Sequence, residues 1–198
     1  MKRKRKPASK RAPWNKGKTI GRKLPLSLKQ IRSIRIRLKS ARQMRELALF
    51  NLAIDGNLSA GDIVQLRVCD IAKGRHILSR ATIAQLESQR AMQFEITDET
   101  RDSVAAWIAH GKLKPDQYLF PSRLSESPHL STRQYARLIA SWVRSIGLDP
   151  SVYGTQSLRR TKAALIYRRT KSLLAAQLFL GHTRLRSTAR FLGIEIQG

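Results

Sequence analysis

Apolar residues recur at helical spacing through most of this chain, and that periodicity restricts it to a mainly helical architecture. After Ser27, the expected N-cap, Leu28, Ile31, Ile34 and Leu38 are spaced by three and four, with Arg32, Arg35, Arg37 and Lys39 on the other faces. A second helix from Met44 to about Ile54 carries Leu47, Leu49, Phe50 and Leu52 and breaks at Asp55-Gly56-Asn57. A third runs from Ser59 or Ala60 to Leu66, with Asp62, Ile63 and Leu66. Thr97-Asp98-Glu99-Thr100 supplies an N-cap and first-turn acids for a helix reaching His110-Gly111. Ser131-Thr132 opens another through Ile146-Gly147, with Tyr135, Leu138, Ile139, Trp142 and Val143 on its apolar side. Residues 158–169, 173–180 and 186–192 complete the helices.

Between the third and fourth helices the period shortens. Residues 68–71 with 76–79, then 82–86 and 91–96, read as short strands separated by Lys73-Gly74-Arg75 and Glu87-Ser88-Gln89-Arg90. Hairpin pairing of runs this short predicts one small three-stranded antiparallel sheet. The fold class is therefore mainly α (α+β), with 114–130 as a loop containing Tyr118-Leu119-Phe120-Pro121. An apolar fraction of 41% over 198 residues suffices for one core.

The net charge of +26 is unevenly placed. Of the 39 Lys and Arg, 18 lie in residues 1–45, where no Asp or Glu occurs; the remainder carries 21 basic and 13 acidic residues, a balance of +8. Such an excess calls for a polyanionic partner, most often nucleic acid. Residues 1–23 are basic, punctuated by Pro and Gly and almost free of aliphatics, which predicts a disordered arm ahead of a domain at 24–198. Lys2, Arg3, Lys4, Arg5, Lys6, Lys10, Arg11, Lys16, Lys18, Arg22 and Lys23 are its expected phosphate contacts, with Trp14 available to stack. A solubilising or targeting tail is the plainer reading, and a ribosomal or membrane-surface role competes for the whole chain.

Cys69 is the only cysteine, so no intramolecular disulfide forms, and its place in an apolar-alternating run predicts a buried thiol. No metal-ligand spacing is present, and no cofactor, metal or small-molecule substrate is expected. With no apolar run near the ~18 residues of a membrane span and no signal-peptide core, the expected location is the cytoplasm, in association with the nucleoid.

The last third carries the chemistry. Gln156-Ser157-Leu158-Arg159-Arg160-Thr161 precedes Leu180-Gly181-His182-Thr183, and Ser187-Thr188-Ala189-Arg190-Phe191 follows. This resembles the end of the catalytic domain of tyrosine recombinases, the phage-integrase family, where the pattern reads His-x-Leu-Arg, Leu-Gly-His and a nucleophilic tyrosine. The resemblance covers about residues 25–193, together with the Trp-Asn-Lys-Gly-Lys stretch of the arm. It implies the recombinase catalytic fold and phosphoryl transfer in DNA: a tyrosine attacks the scissile phosphate, two arginines and a histidine hold the developing charge, and a hairpin lysine protonates the leaving oxygen.

Carried over residue by residue, the resemblance places Arg159 at the second arginine and His182 at the Leu-Gly-His histidine, with Arg160 beside them for phosphate contact. Four other positions are replaced. Ser59 stands at the first arginine, in a register fixed by Leu66-Arg67-Val68-Cys69-Asp70-Ile71, and cannot make a bidentate charged clamp. Glu87 stands where the hairpin lysine is expected, with Arg90 nearby, and its charge would repel a phosphate. Gln156 replaces the first histidine, and Phe191 replaces the nucleophile, filling its space without its oxygen. Tyr118, Tyr135, Tyr153 and Tyr167 stand in no matching context. The chain shows no separate N-terminal core-binding domain and ends seven residues after Phe191, which leaves cooperative assembly open.

The expected function is that of a double-stranded-DNA-binding relative of the tyrosine recombinases that does not cleave DNA, acting as a regulator or accessory factor in recombination or integration. An active recombinase, or another copy of the chain, is the expected further partner. The alternatives are an active site-specific recombinase, using a partner's tyrosine or altered at Phe191 by engineering, and a basic RNA-binding protein.

Overall fold

A computed structural model describes residues 23–123 and 127–194. Met1 to Arg22, which hold ten of the arm's predicted basic contacts and Trp14, lie outside the described residues. The described chain forms α1 (Leu28–Ser40), α2 (Met44–Asp55), α3 (Ala60–Gln65), α4 (Val68–Ile71), β1 (Ala72–Lys73), β2 (His76–Ile77), β3 (Arg80–Ala84), β4 (Ala91–Glu95), α5 (Asp98–Gly111), α6 (Thr132–Ser145), α7 (Thr155–Thr170), α8 (Leu173–Leu180) and α9 (Leu185–Leu192). None of these helices is long and apolar enough to cross a membrane.

The core is organised on α2, whose Leu49, Phe50 and Leu52 are fully buried against α1, α5 and α7. Trp142 of α6 packs edge-on to Phe50 with centroids 5.5 Å apart and donates its indole N–H to Glu46 at 2.9 Å, so its polar handle is satisfied. Capping follows the sequence where short polar residues precede apolar runs. Ser27 and Ser131 form capping boxes with Gln30 and Gln134.

Four expectations are corrected. Val68–Ile71 is a helical turn rather than a strand: Asp70 accepts the Arg67 backbone N–H at 2.7 Å, and the Val68 and Cys69 N–H groups donate to the Gln117 and Pro115 carbonyls. The strands consequently form two separate two-stranded antiparallel ladders, β1–β2 and β3–β4, in place of one three-stranded sheet. Cys69, read as buried from an alternation that turned out to be helical, is exposed. Thr97 stands at the N-cap of α5 but its hydroxyl serves Asp55 instead of the helix, because that buried carboxylate lies within 2.5 Å.

Candidate functional site

Asp55, at the end of α2, ties together the three helices that frame the site. Its carboxylate is buried and accepts from Thr97 N–H (3.2 Å), Thr97 Oγ1 (2.5 Å), Thr100 Oγ1 (2.6 Å) and Lys162 Nζ (3.2 Å). Burial alone would raise its pKa, but hydrogen bonds from Thr100 and Thr97 and the Lys162 charge outweigh it and hold the group below the ordinary carboxylate value. Lys162 also lies 5.9 Å from the Phe179 ring centroid.

One turn before Lys162 on α7 stands Arg159, half-buried. Its Nε donates to Asn57 Oδ1 at 2.9 Å, and Asn57 Nδ2 donates to the Phe179 carbonyl at 3.0 Å. Asn57 is buried and left-handed (φ 50°), a conformation asparagine tolerates better than most residues, and this directs its amide between α7 and α8. Burial lowers the Arg159 pKa, opposed by the carboxylates of Asp62 and Glu87.

Those two acids are positioned locally. Ser59, expected at the first-arginine position, caps α3 by accepting the Asp62 N–H at 3.1 Å, so its hydroxyl is spent on the helix end. Asp62 Oδ1 in turn accepts the Leu86 N–H at 2.9 Å, fastening α3 to the β3–β4 turn that bears exposed Glu87. Arg90, in the same turn, is exposed and keeps its backbone N–H on Ser88.

The remaining positions converge from α7, α8 and α9. Gly181 ends α8 in the left-handed conformation (φ 68°) and turns the chain into His182. His182 Nδ1 lies 3.1 Å from Thr188 Oγ1, and its ring meets Phe191 edge-on with centroids 5.5 Å apart at 87°. Burial, then the Arg159 charge, lowers the His182 pKa from its ordinary value and favours the neutral imidazole. Gln156 is exposed in the first turn of α7, which begins three residues earlier than its apolar pattern indicated.

Arg160 is placed differently from its neighbour. It is buried, its Nη1 donates to the Lys23 carbonyl, and its guanidinium lies 4.7 Å from the Phe191 ring centroid. Lys23 Nζ reaches the Ser151 carbonyl, Leu24 N–H donates to Val152, and Leu26 N–H donates to Thr161 Oγ1 at 2.9 Å. The segment leading out of the arm is thus stitched along the first turns of α7, beside Phe191.

Arg159, His182 and Phe191 are therefore brought together, with Ser59 and Glu87 on the α3 and hairpin side. Asn57, Asp62 and Asp55 were missed by sequence reasoning. Asp55-Gly56-Asn57 read only as a helix stop, and the partner that gives Asn57 a role is 102 residues away. Arg159 meets the charges of Asp62 and Glu87, which weaken its attraction for a phosphate diester, and the Arg160 guanidinium lies on the Phe191 side of the same centre.

The model of the phage integrase family matches residues 3–195 of this chain. The probable integrase/recombinase YoeC of Bacillus subtilis (strain 168) is 28% identical over 175 residues, covering 85% of this chain and 88% of its own. Among solved structures, the XerA recombinase aligns with a TM-score of 0.71 at 16% identity, over 88% of this chain and 60% of that one. XerH site-specific recombinase bound to difH substrate, a pre-cleavage complex, gives 0.68 at 17% over 87% and 51%. A lambda integrase dimer bound to a COC′ core site gives 0.64 at 15% over 90% and 63%. The chain spans between half and two thirds of the length of these structures.

Proposed function

Because the chain belongs to the phage integrase family and has the catalytic-domain fold of the tyrosine recombinases, we propose that it is a duplex-DNA-binding regulator or accessory factor of recombination or integration that does not cleave DNA. One observation carries the second half of this reading. Phe191, which the motif pattern aligns with the nucleophile and which has no oxygen to offer, packs edge-on against His182, while Asp62 and Glu87 face Arg159. The other tyrosines do not fill the gap. Tyr135 is fully buried, which pushes its pKa far up; Tyr118 packs against His129 and carries the Arg67 guanidinium over its ring; Tyr153 and Tyr167 belong to the loop before α7 and to its C-terminal half.

DNA as the partner is supported by the +26 charge, by the placement of Lys23 beside the site, and by the DNA complexes among the structural neighbours. The arm and the face around Arg159 and His182 would act together as the clamp. The test is a binding selection from genomic fragments, followed by denaturing gels for covalent protein, on the native chain and on Phe191→Tyr. A defined footprint with no adduct in either protein is expected. An adduct in the native chain would establish an enzyme with another nucleophile; one in Phe191→Tyr would establish an otherwise competent site. Preference for structured RNA over duplex DNA, or salt-independent binding that survives loss of residues 1–23, would overturn the DNA clamp.

A further inference from the structure

A groove of about 1220 Å³ runs between α1 and α7, closed at one end by the N-terminus of α5. Its floor is apolar: Ile31, Ile54, Leu165 and Ile166, with Leu28 at the edge. Leu28 belongs to the periodic stripe that buries Ile31, Ile34 and Leu38, yet it is 56% exposed. The floor is lined at i, i+3, i+4 and i+7 from α7 (Lys162, Leu165, Ile166, Arg169) and at i, i+4 and i+8 from α1 (Ser27, Ile31, Arg35). Those spans rise about 10–12 Å, or about two helical turns. Two helical faces flanking an apolar floor suit an amphipathic helix.

The rim chooses the helix. Its acids are already committed: Asp55 to Lys162, Asp98 to Arg101, and Glu99 to Arg35 at 2.6 Å and Lys39 at 3.3 Å. Lys29, Arg168 and Arg169 line the groove and make no ion pair among the described residues. We propose that this groove docks an amphipathic helix with an acidic outer face, contributed by a different protein. Residues 1–22 hold no acid, and among the described residues α5, the helix with the acidic start, is itself a wall of the groove. A second copy would also bring another +26 against the same rim.

The probe is a labelled 15-residue peptide with Leu at i, i+3, i+4, i+7 and i+11 and Glu at most other positions. A scrambled peptide of identical composition and an all-Lys counterpart serve as controls, with anisotropy read at 150 mM salt on the full chain. We expect the patterned acidic peptide to bind at least tenfold tighter than the scrambled one. Leu28→Glu, at an exposed first-turn position where an acid suits the helix dipole, should remove that advantage. Ile36→Glu, the same charge change on an exposed residue of α1 outside the groove, should keep it. Equal binding of patterned and scrambled peptides, or equal losses in the two variants, would reduce the effect to general attraction and overturn the proposal. Weaker duplex binding in Leu28→Glu alone would assign the groove to DNA, and a change in that variant's oligomeric state would assign it to a second copy; either overturns it as well.

Discussion

Replacing Asp55 by Asn keeps the shape of the side chain while removing its charge and one of its two acceptor oxygens. In the native protein that carboxylate serves four donors from Thr97, Thr100 and Lys162. Hydrogen bonds to a charged group contribute about 1.5–3 kcal/mol each, but the four do not add, because Thr97 and Lys162 can regain water while Thr100 is fully buried. Comparison with the loss of one partner of a buried ion pair puts the cost at about 3–5 kcal/mol. Urea unfolding at pH 7 measures it directly, and pH isolates its origin. Because the folded pKa of Asp55 lies below its ordinary value of 3.8, its contribution is fully present above about pH 4. It is lost as pH falls through the folded pKa. The stability gap between native protein and Asp55→Asn should therefore be constant from pH 7 to 5 and shrink below pH 4. A gap under about 1 kcal/mol at pH 7, or one that does not narrow in acid, would refute the account of this network.

Glu87→Lys exchanges a carboxylate facing Arg159 for a cation; duplex affinity should rise about five- to thirtyfold at low salt, with a steeper dependence on salt in a filter-binding series. His182 should titrate with a midpoint below 6.5 in an imidazole-proton NMR experiment, and duplex affinity should increase as pH falls through that midpoint because protonation adds a cation beside Arg159. Arg160→Ala should lower stability by about 1–3 kcal/mol through the lost bond to the Lys23 carbonyl and the lost ring contact, and should speed proteolysis at residues 23–26.

Periodicity and capping determined the helices of this protein. Stripes at three and four with Ser27 or Ser131 ahead of them are local facts, and local hydrogen bonds honour them. The motifs around Arg159, His182 and Phe191 likewise identified the family, because each motif is held on a single helix or at its end. Tertiary structure decided the rest. An alternating run at 68–71 became a helical turn because the 115–117 loop supplied partners for its N–H groups. Two adjacent arginines, indistinguishable by type, were divided by geometry: α7 turns by about 100° per residue, so Arg159 meets Asn57 while Arg160 is buried under the strap at Lys23. The local charge of the site depends on Asp62 and Glu87 reaching an arginine roughly 70–100 residues later in the chain, a proximity that no spacing in the sequence encodes.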